Sequence, residues 1–173
     1  MIVPIKAKDL VLPPVDTWFK RWFVLTAGCM EKFNSMTVAW GSIGGMWEMP
    51  FVQVVVRPTR HTFGFMNESD TFTLCSFPAK FRKDLAILGS RSGRDTDKIA
   101  LTKLTPVKSA AVAAPCFKEA DLVIECRKIY WQDLEERNFL SAKIAEKYPQ
   151  MDYHRIYFGE MLRVRGSKEF RRK

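Results

Sequence analysis

The sequence predicts a mostly β protein with short helices, an antiparallel β-barrel that is either closed or split. Three observations carry that reading. Several apolar, β-branched runs recur at short spacing, with only one-to-three-turn helical segments between them. The regular strand–helix–strand alternation of a parallel sheet is missing. So is a G-x-G-x-x-G fingerprint, which leaves no sign of a dinucleotide fold. A closed or nearly closed sheet hides its edges, the physical advantage of such barrels.

The elements follow in order. Pro13-Pro14 closes an N-terminal arm. Trp22–Cys29 (WFVLTAGC) reads as a buried strand and Ser35–Ile43 (SMTVAWGSI) as a second, with Gly44-Gly45 turning the chain. Phe51–Arg57 (FVQVVVR), with its run of valines, is the clearest strand, and Pro58 ends it. Arg60–Glu68 predicts a short helix, Phe63 and Met66 sharing one face. Thr71–Phe77 alternates as a strand does and stops at Pro78. Phe81, Leu85 and Leu88 have helical spacing within Lys80–Leu88, and a further short helix is expected around Asp97–Leu101. Ala120–Trp131 reads as a long strand and the polar Glu135–Lys147 as a helix ended by Tyr148-Pro149. Arg155–Arg165 is the last strand, with Ile156, Phe158 and Met161 expected to face inward.

Length and composition set outer limits. The 173 residues suit one domain, here 1–173, with a core of about 19–164 and a basic tail over 166–173. No apolar run approaches the roughly 20 residues of a membrane helix, and the first residues lack a secretory apolar stretch, so a cytoplasmic protein without a membrane association is expected. Cys29, Cys75, Cys116 and Cys126 include no C-x-x-C pair, which argues against a zinc site and for free thiols buried in strands. The net charge of +9 attracts anions. It fits a solvated basic surface, a phosphate-bearing small molecule or nucleic acid, but the exposed aromatic-basic alternation of single-strand binders is not seen.

Three stretches offer chemistry. Asn34-Ser35-Met36-Thr37-Val38-Ala39-Trp40-Gly41 puts amide and hydroxyl groups beside small apolar residues, a pattern suited to a flat heterocycle with a polar rim, with Trp40 as a wall. Alone it also reads as a half-exposed strand. Arg57-Pro58-Thr59-Arg60-His61-Thr62 places two guanidiniums and a hydroxyl at a helix start, a seat for phosphate or simply a capping turn. Ser90-Arg91-Ser92-Gly93-Arg94-Asp95-Thr96-Asp97-Lys98 offers a backbone approach at Gly93 and two cations, Arg94 and Lys98, four apart, or a capped surface helix. His61 is read as a packed or exposed histidine and no catalytic residue is assigned.

Taken in order, N-S-M-T-x-x-W-G, V-R-P-x-R-x-T and S-G-R-D-x-D-K resemble the flavin reductase-like family, close to its flavoredoxin-type members. The likeness extends to Glu125–Tyr130 and to Asp152–Glu160, and covers roughly Phe19 to Val164. The resemblance implies an FMN-binding split barrel, usually a homodimer with the flavin near the subunit interface. It implies that Asn34, Ser35, Met36, Thr37 and Trp40 border the isoalloxazine. Arg57, Arg60 and Thr62 would lie near the ribityl phosphate, Gly93, Arg94 and Lys98 beside them, and His154 near the flavin. His61 departs from the family pattern, which commonly has tyrosine there. The implied activity is electron transfer from NADH or NADPH through FMN to a second acceptor; the alternative is a flavoredoxin-like carrier fed by a redox protein partner.

Overall fold

The computed structural model describes residues 2–172. Among the described residues ten strands are formed: β1 (Val3–Ile5), β2 (Phe23–Cys29), β3 (Lys32–Val38), β4 (Gly41–Met46), β5 (Met49–Val56), β6 (Thr71–Ser76), β7 (Pro106–Val107), β8 (Cys116–Phe117), β9 (Leu122–Asp133) and β10 (Arg155–Gly166). Three α-helices accompany them: α1 (His61–Glu68), α2 (Arg82–Ser90) and α3 (Ala142–Ala145). One antiparallel sheet runs in the order β3-β2-β6-β9-β10-β5-β4, with β1 paired to β10; β7 and β8 form a separate two-stranded ribbon.

The two ends of that path, β3 and β4, are consecutive in the chain and joined only by Ala39 and Trp40. Three peptide steps carry Cα atoms at most roughly 11 Å. The sheet must therefore roll until its edges nearly meet, yet β3 and β4 do not pair, so the barrel is split rather than closed. The interior of the roll holds Phe23, Leu25, Val52, Val54, Val56, Phe72, Leu74, Ile124 and Tyr157, all essentially solvent-free. The outer face of β2 and β6 carries a second apolar layer, where Val24 and Cys75 pack with Leu85 and Leu88 of α2 and with Phe117. All four cysteines are free thiols, and Cys75, Cys116 and Cys126 are buried.

Several expectations need correction. The strand expected over Ser35–Ile43 is broken at Ala39-Trp40, where the chain steps from one sheet edge to the other. Gly44-Gly45 is not the turn. It lies inside β4, and the hairpin turns at Trp47-Glu48, both with positive φ (53° and 59°). That backbone matches the right-handed twist of the flanking strands, as two-residue hairpins require. Gly44 sits on the strand opposite Phe51, whose ring lies 3.4 Å from where a Cβ would stand. No helix forms at Asp97–Leu101; the side chain of Asp97 instead accepts from Ile99 and Ala100 N–H in a turn. The stretch Glu135–Lys147 gives only a 3-10 turn and the single turn of α3, because it has no apolar stripe to bury. In β10 Met161 is buried as expected, but Ile156 and Phe158 are only half-buried, and Tyr157, Gly159, Val164 and Gly166 are the other buried residues. Tyr157 can be buried because its hydroxyl reaches the rim, where it donates to the side-chain oxygen of the exposed Asn67.

Phe158 instead joins Trp47, Phe51 and Tyr130 in a group of rings with centroids 5.3–5.9 Å apart, with Trp47 and Tyr130 nearly half exposed. Among the described residues no helix is long and apolar enough to cross a membrane.

Candidate functional site

Two adjoining cavities lie beside the split. The first, about 180 Å³, is lined by Met36 to Trp40, Val55, Arg57, Arg60 and His154. Five consecutive residues of β3 and the link after it can line one cavity because β3 is an edge strand, with one row of backbone N–H and C=O groups unpaired. Trp40 forms one wall, its ring 5.2 Å from that of His154. The second cavity, about 280 Å³, shares Met36 and Arg60 with the first and adds His61, Thr62, Gly93, Arg94 and Lys98, among others.

The floor between β3 and α1 is fixed by a buried hydrogen bond: the Asn34 amide donates to the Thr62 hydroxyl oxygen at 2.7 Å. Gly93 lies against that amide. A Cβ at Gly93 would stand 2.2 Å from Asn34 Oδ1. The glycine is thus required by its neighbour's position, whatever its backbone angles.

The cations divide by how far the protein has already used them. Arg57 is ion-paired with Asp152, donates to the Lys147 carbonyl at 2.7 Å and lies over the Tyr148 ring. Arg60 is exposed, with one long contact, 3.4 Å, to the Gly89 carbonyl. Arg94 reaches back to donate to the Thr59 carbonyl. Lys98 is buried, and its ammonium donates to the carbonyls of Leu88 and Arg91 at 3.1 and 3.3 Å. It caps the C-terminus of α2, where the helix dipole favours a cation. Burial, and then the nearby Arg60, pull its pKa down to about 8. Arg60, Arg91, Arg94 and Lys98 surround the second cavity with Asp95 as the one carboxylate in its lining. Such an excess of cations seats an anion.

His154 is buried and its Nδ1 lies 2.8 Å from the Tyr148 hydroxyl. Burial first, and then Arg57, lower its pKa to about 4, with Asp152 opposing. It is a neutral imidazole near pH 7. His61 is also held below its usual range, by burial and then by Arg94 and Lys98.

The residues singled out in the sequence are mostly brought together. Met36, Thr37, Trp40, Arg57, Arg60 and His154 line the first cavity, and Thr62, Gly93, Arg94 and Lys98 the second. Asn34 supports the floor and borders a further groove of about 550 Å³ that also touches Gly93 and Lys98. Ser35 is the exception. It stands directly opposite Thr26 of β2 on the same face of the sheet, its hydroxyl 2.7 Å from that of Thr26 and fully buried. The Thr37 hydroxyl is likewise spent on the Leu85 carbonyl, which leaves the backbone of these two residues for a ligand. Arg94 and Lys98 are not a helical pair, since the chain turns between them.

Three participants, Asp152, Tyr148 and Val55, were not anticipated, and His61 had no role assigned within its stretch. Asp152 and Tyr148 hold Arg57 and His154, Val55 lines the first cavity, and His61 lines the second. The six-residue spacing of Tyr148 and His154 was readable; the Arg57–Asp152 pairing, 95 residues apart, left no local trace. Among the described residues no cluster of three His, Cys, Asp or Glu is arranged to hold a metal ion.

A sequence profile described as Flavin reductase like domain matches residues 20–172. No curated protein matches the chain. Among solved structures, an FMN-binding domain of a flavin reductases-like enzyme from Shewanella baltica superposes with a TM-score of 0.68 at 15% identity, covering 96% of this chain and 77% of its own. Flavoredoxin of Desulfovibrio vulgaris gives 0.67 at 22% identity, covering 92% and 73%. An NADH:FAD oxidoreductase from Streptomyces globisporus, in complex with NAD and FAD fragments, gives 0.63 at 17% identity, covering 83% and 73%.

Proposed function

From the premise that this chain belongs to the flavin reductase-like family, we propose that it binds FMN and passes electrons from NADH or NADPH through the flavin to a second acceptor. The observation that carries the reading is the joined pair of cavities. One is a narrow slot between Trp40 and a strand edge; the other is a cationic bowl.

The residues present fit such a group. The β3 edge from Met36 to Val38, with Ala39 after it, would offer donors and acceptors to a polar-rimmed heterocycle, and Trp40 and Val55 would supply apolar contact. Arg60, Arg94 and Lys98, with the Thr62 hydroxyl beneath, would hold the phosphate. Bound flavin supplies the redox chemistry. The chain's own part is to bind, orient and screen. Arg57, neutralised by Asp152, braces the wall rather than adding free charge. His154, uncharged near pH 7, keeps the slot from gaining a further cation.

Fluorescence titration of the flavin-free protein with FMN and riboflavin tests this. FMN is expected to bind more tightly than riboflavin. Arg60→Ala should weaken FMN about ten- to a hundredfold, as loss of a charge-assisted contact does, and leave riboflavin nearly unchanged. Equal affinity of wild type and variant for FMN overturns the assignment.

A second reading is a flavoredoxin-like carrier fed by a redox protein, supported by the likeness to flavoredoxin. Oxidation of NADH or NADPH by the loaded protein decides for the first reading, and its absence for the second. We also propose a homodimer whose contact is the ring cluster of Trp47, Phe51, Tyr130 and Phe158. That face carries Val55 beside Gln53 and Phe51, so a second copy seated there would border the first cavity.

A further inference from the structure

His61 does not belong to the cation set that defines the phosphate bowl, yet it stands inside it. It is the first residue of α1, half-buried, with its ring edge-on to Phe65 at 5.2 Å. The site a Cβ on Gly93 would occupy is 3.2 Å from its Cδ2. Charged groups face it from every side: Arg60 from the β5–α1 link, Arg94, Asp95 and Lys98 from the loop after α2, Arg91 at the end of α2, and Lys32 from β3. Five of these six are cations. Empty, the bowl is a poor place for an imidazolium.

We propose that His61 couples phosphate recognition to protonation: it is neutral in the ligand-free protein and takes up one proton from solvent when a phosphate dianion enters. This rests on the reading that the bowl receives the flavin's phosphate. The incoming dianion offsets about half of that positive excess and brings acceptor oxygens to the ring, so a charged imidazole, a like charge in the empty bowl, gains an anionic partner. Burial and the neighbouring Arg94 and Lys98 hold the empty-state histidine below its usual range, in keeping with this. By linkage, phosphate affinity then rises as pH falls through neutrality, by at most about tenfold per pH unit.

The test is isothermal titration of flavin-free protein with FMN at pH 7.0 in buffers of different ionisation enthalpy, with riboflavin alongside. That pH suppresses the two competing equilibria. Lys98, at about 8, is already about nine-tenths protonated, and a phosphate with its second ionisation near ~6 is about nine-tenths dianionic. Wild type is expected to take up at least half a proton with FMN and none with riboflavin; His61→Gln should take up less than about a quarter of that. Equal uptake by wild type and variant, or none by wild type, overturns the proposal. FMN binding no tighter than riboflavin instead overturns the reading of the bowl. A second readout needs no variant. With only two histidines in the chain, the His61 ring resonances can be followed by NMR as inorganic phosphate is added at pH 7.0. They should move from neutral to charged values, and unchanged neutral shifts at saturating phosphate also overturn it.

Discussion

Gly93→Ala and Gly64→Ala are the same chemical change with opposite expected signs. At Gly93 the new methyl would stand 2.2 Å from Asn34 Oδ1, about 1 Å inside any tolerable contact. Asn34 has nowhere to go, because its amide is buried and tied to Thr62 at 2.7 Å. Either that bond breaks, leaving two buried polar groups unpaired at about 1–3 kcal/mol, or the loop shifts at an overpacking cost of about 1–3 kcal/mol. We expect a loss of about 3 kcal/mol, which lowers Tm by roughly 6–12 °C for a domain of this size. Gly64 lies in the middle of α1 with no atom within 4 Å of a built Cβ. There alanine should stabilise by about 0.5–1 kcal/mol through the entropy of the unfolded chain. Urea unfolding of the two flavin-free variants, followed by tryptophan fluorescence, measures both. If Gly93→Ala is as stable as Gly64→Ala, the contact between the 93 loop and Asn34 has been drawn wrongly, and with it the floor of the site.

Three other outcomes follow from the same geometry. Lys98 has a folded pKa of about 8 against 10.5 unfolded, so between those values the unfolded chain binds more protons and stability should rise with pH, by up to about 3 kcal/mol; Lys98→Met should flatten that slope in urea titrations from pH 7.5 to 10.5. His154, at about 4 folded against 6.5, contributes in the acid range: stability present above about 6.5 is lost as pH falls toward 4, again by about 3 kcal/mol, and an equally steep acid loss in His154→Asn would contradict it. Phe158→Arg should convert a dimer to monomer by light scattering while the circular dichroism spectrum stays the same; a dimer that survives it does not use the ring cluster.

Strands were legible where apolar residues run together, in Phe23–Ala27, buried on both faces, and in Phe51–Arg57, buried on one face and half-buried on the other, since an apolar β-branched run has little else it can be. What the sequence hid was geometry set by tertiary partners. The break at Ala39-Trp40 is invisible locally because both flanks are good strand. The glycine pair at 44 and 45 drew the turn to itself, while Trp47 and Glu48 adopt positive φ without the usual residues. Parity in β10 was misjudged at Ile156 and Phe158: the ring between them, Tyr157, is buried, and its hydroxyl reaches the exposed Asn67 side chain, a partner 90 residues away. The site itself was largely legible by residue type, since cations, hydroxyls and one tryptophan cluster in short stretches. Which of them remain available was not: Ser35 and Thr37 have spent their hydroxyls, and Arg57 its charge, on partners 9 to 95 residues away.

The two-residue link between β3 and β4 leaves a seam down one side of the roll. A seam with bare main-chain groups invites a stray strand from another molecule to dock, the usual route to clumping. A flat guest lodged against Met36–Ala39 would occupy those same groups. Cofactor loading would then act as a chaperone for its own host, guarding the open margin that the chain by itself does not close.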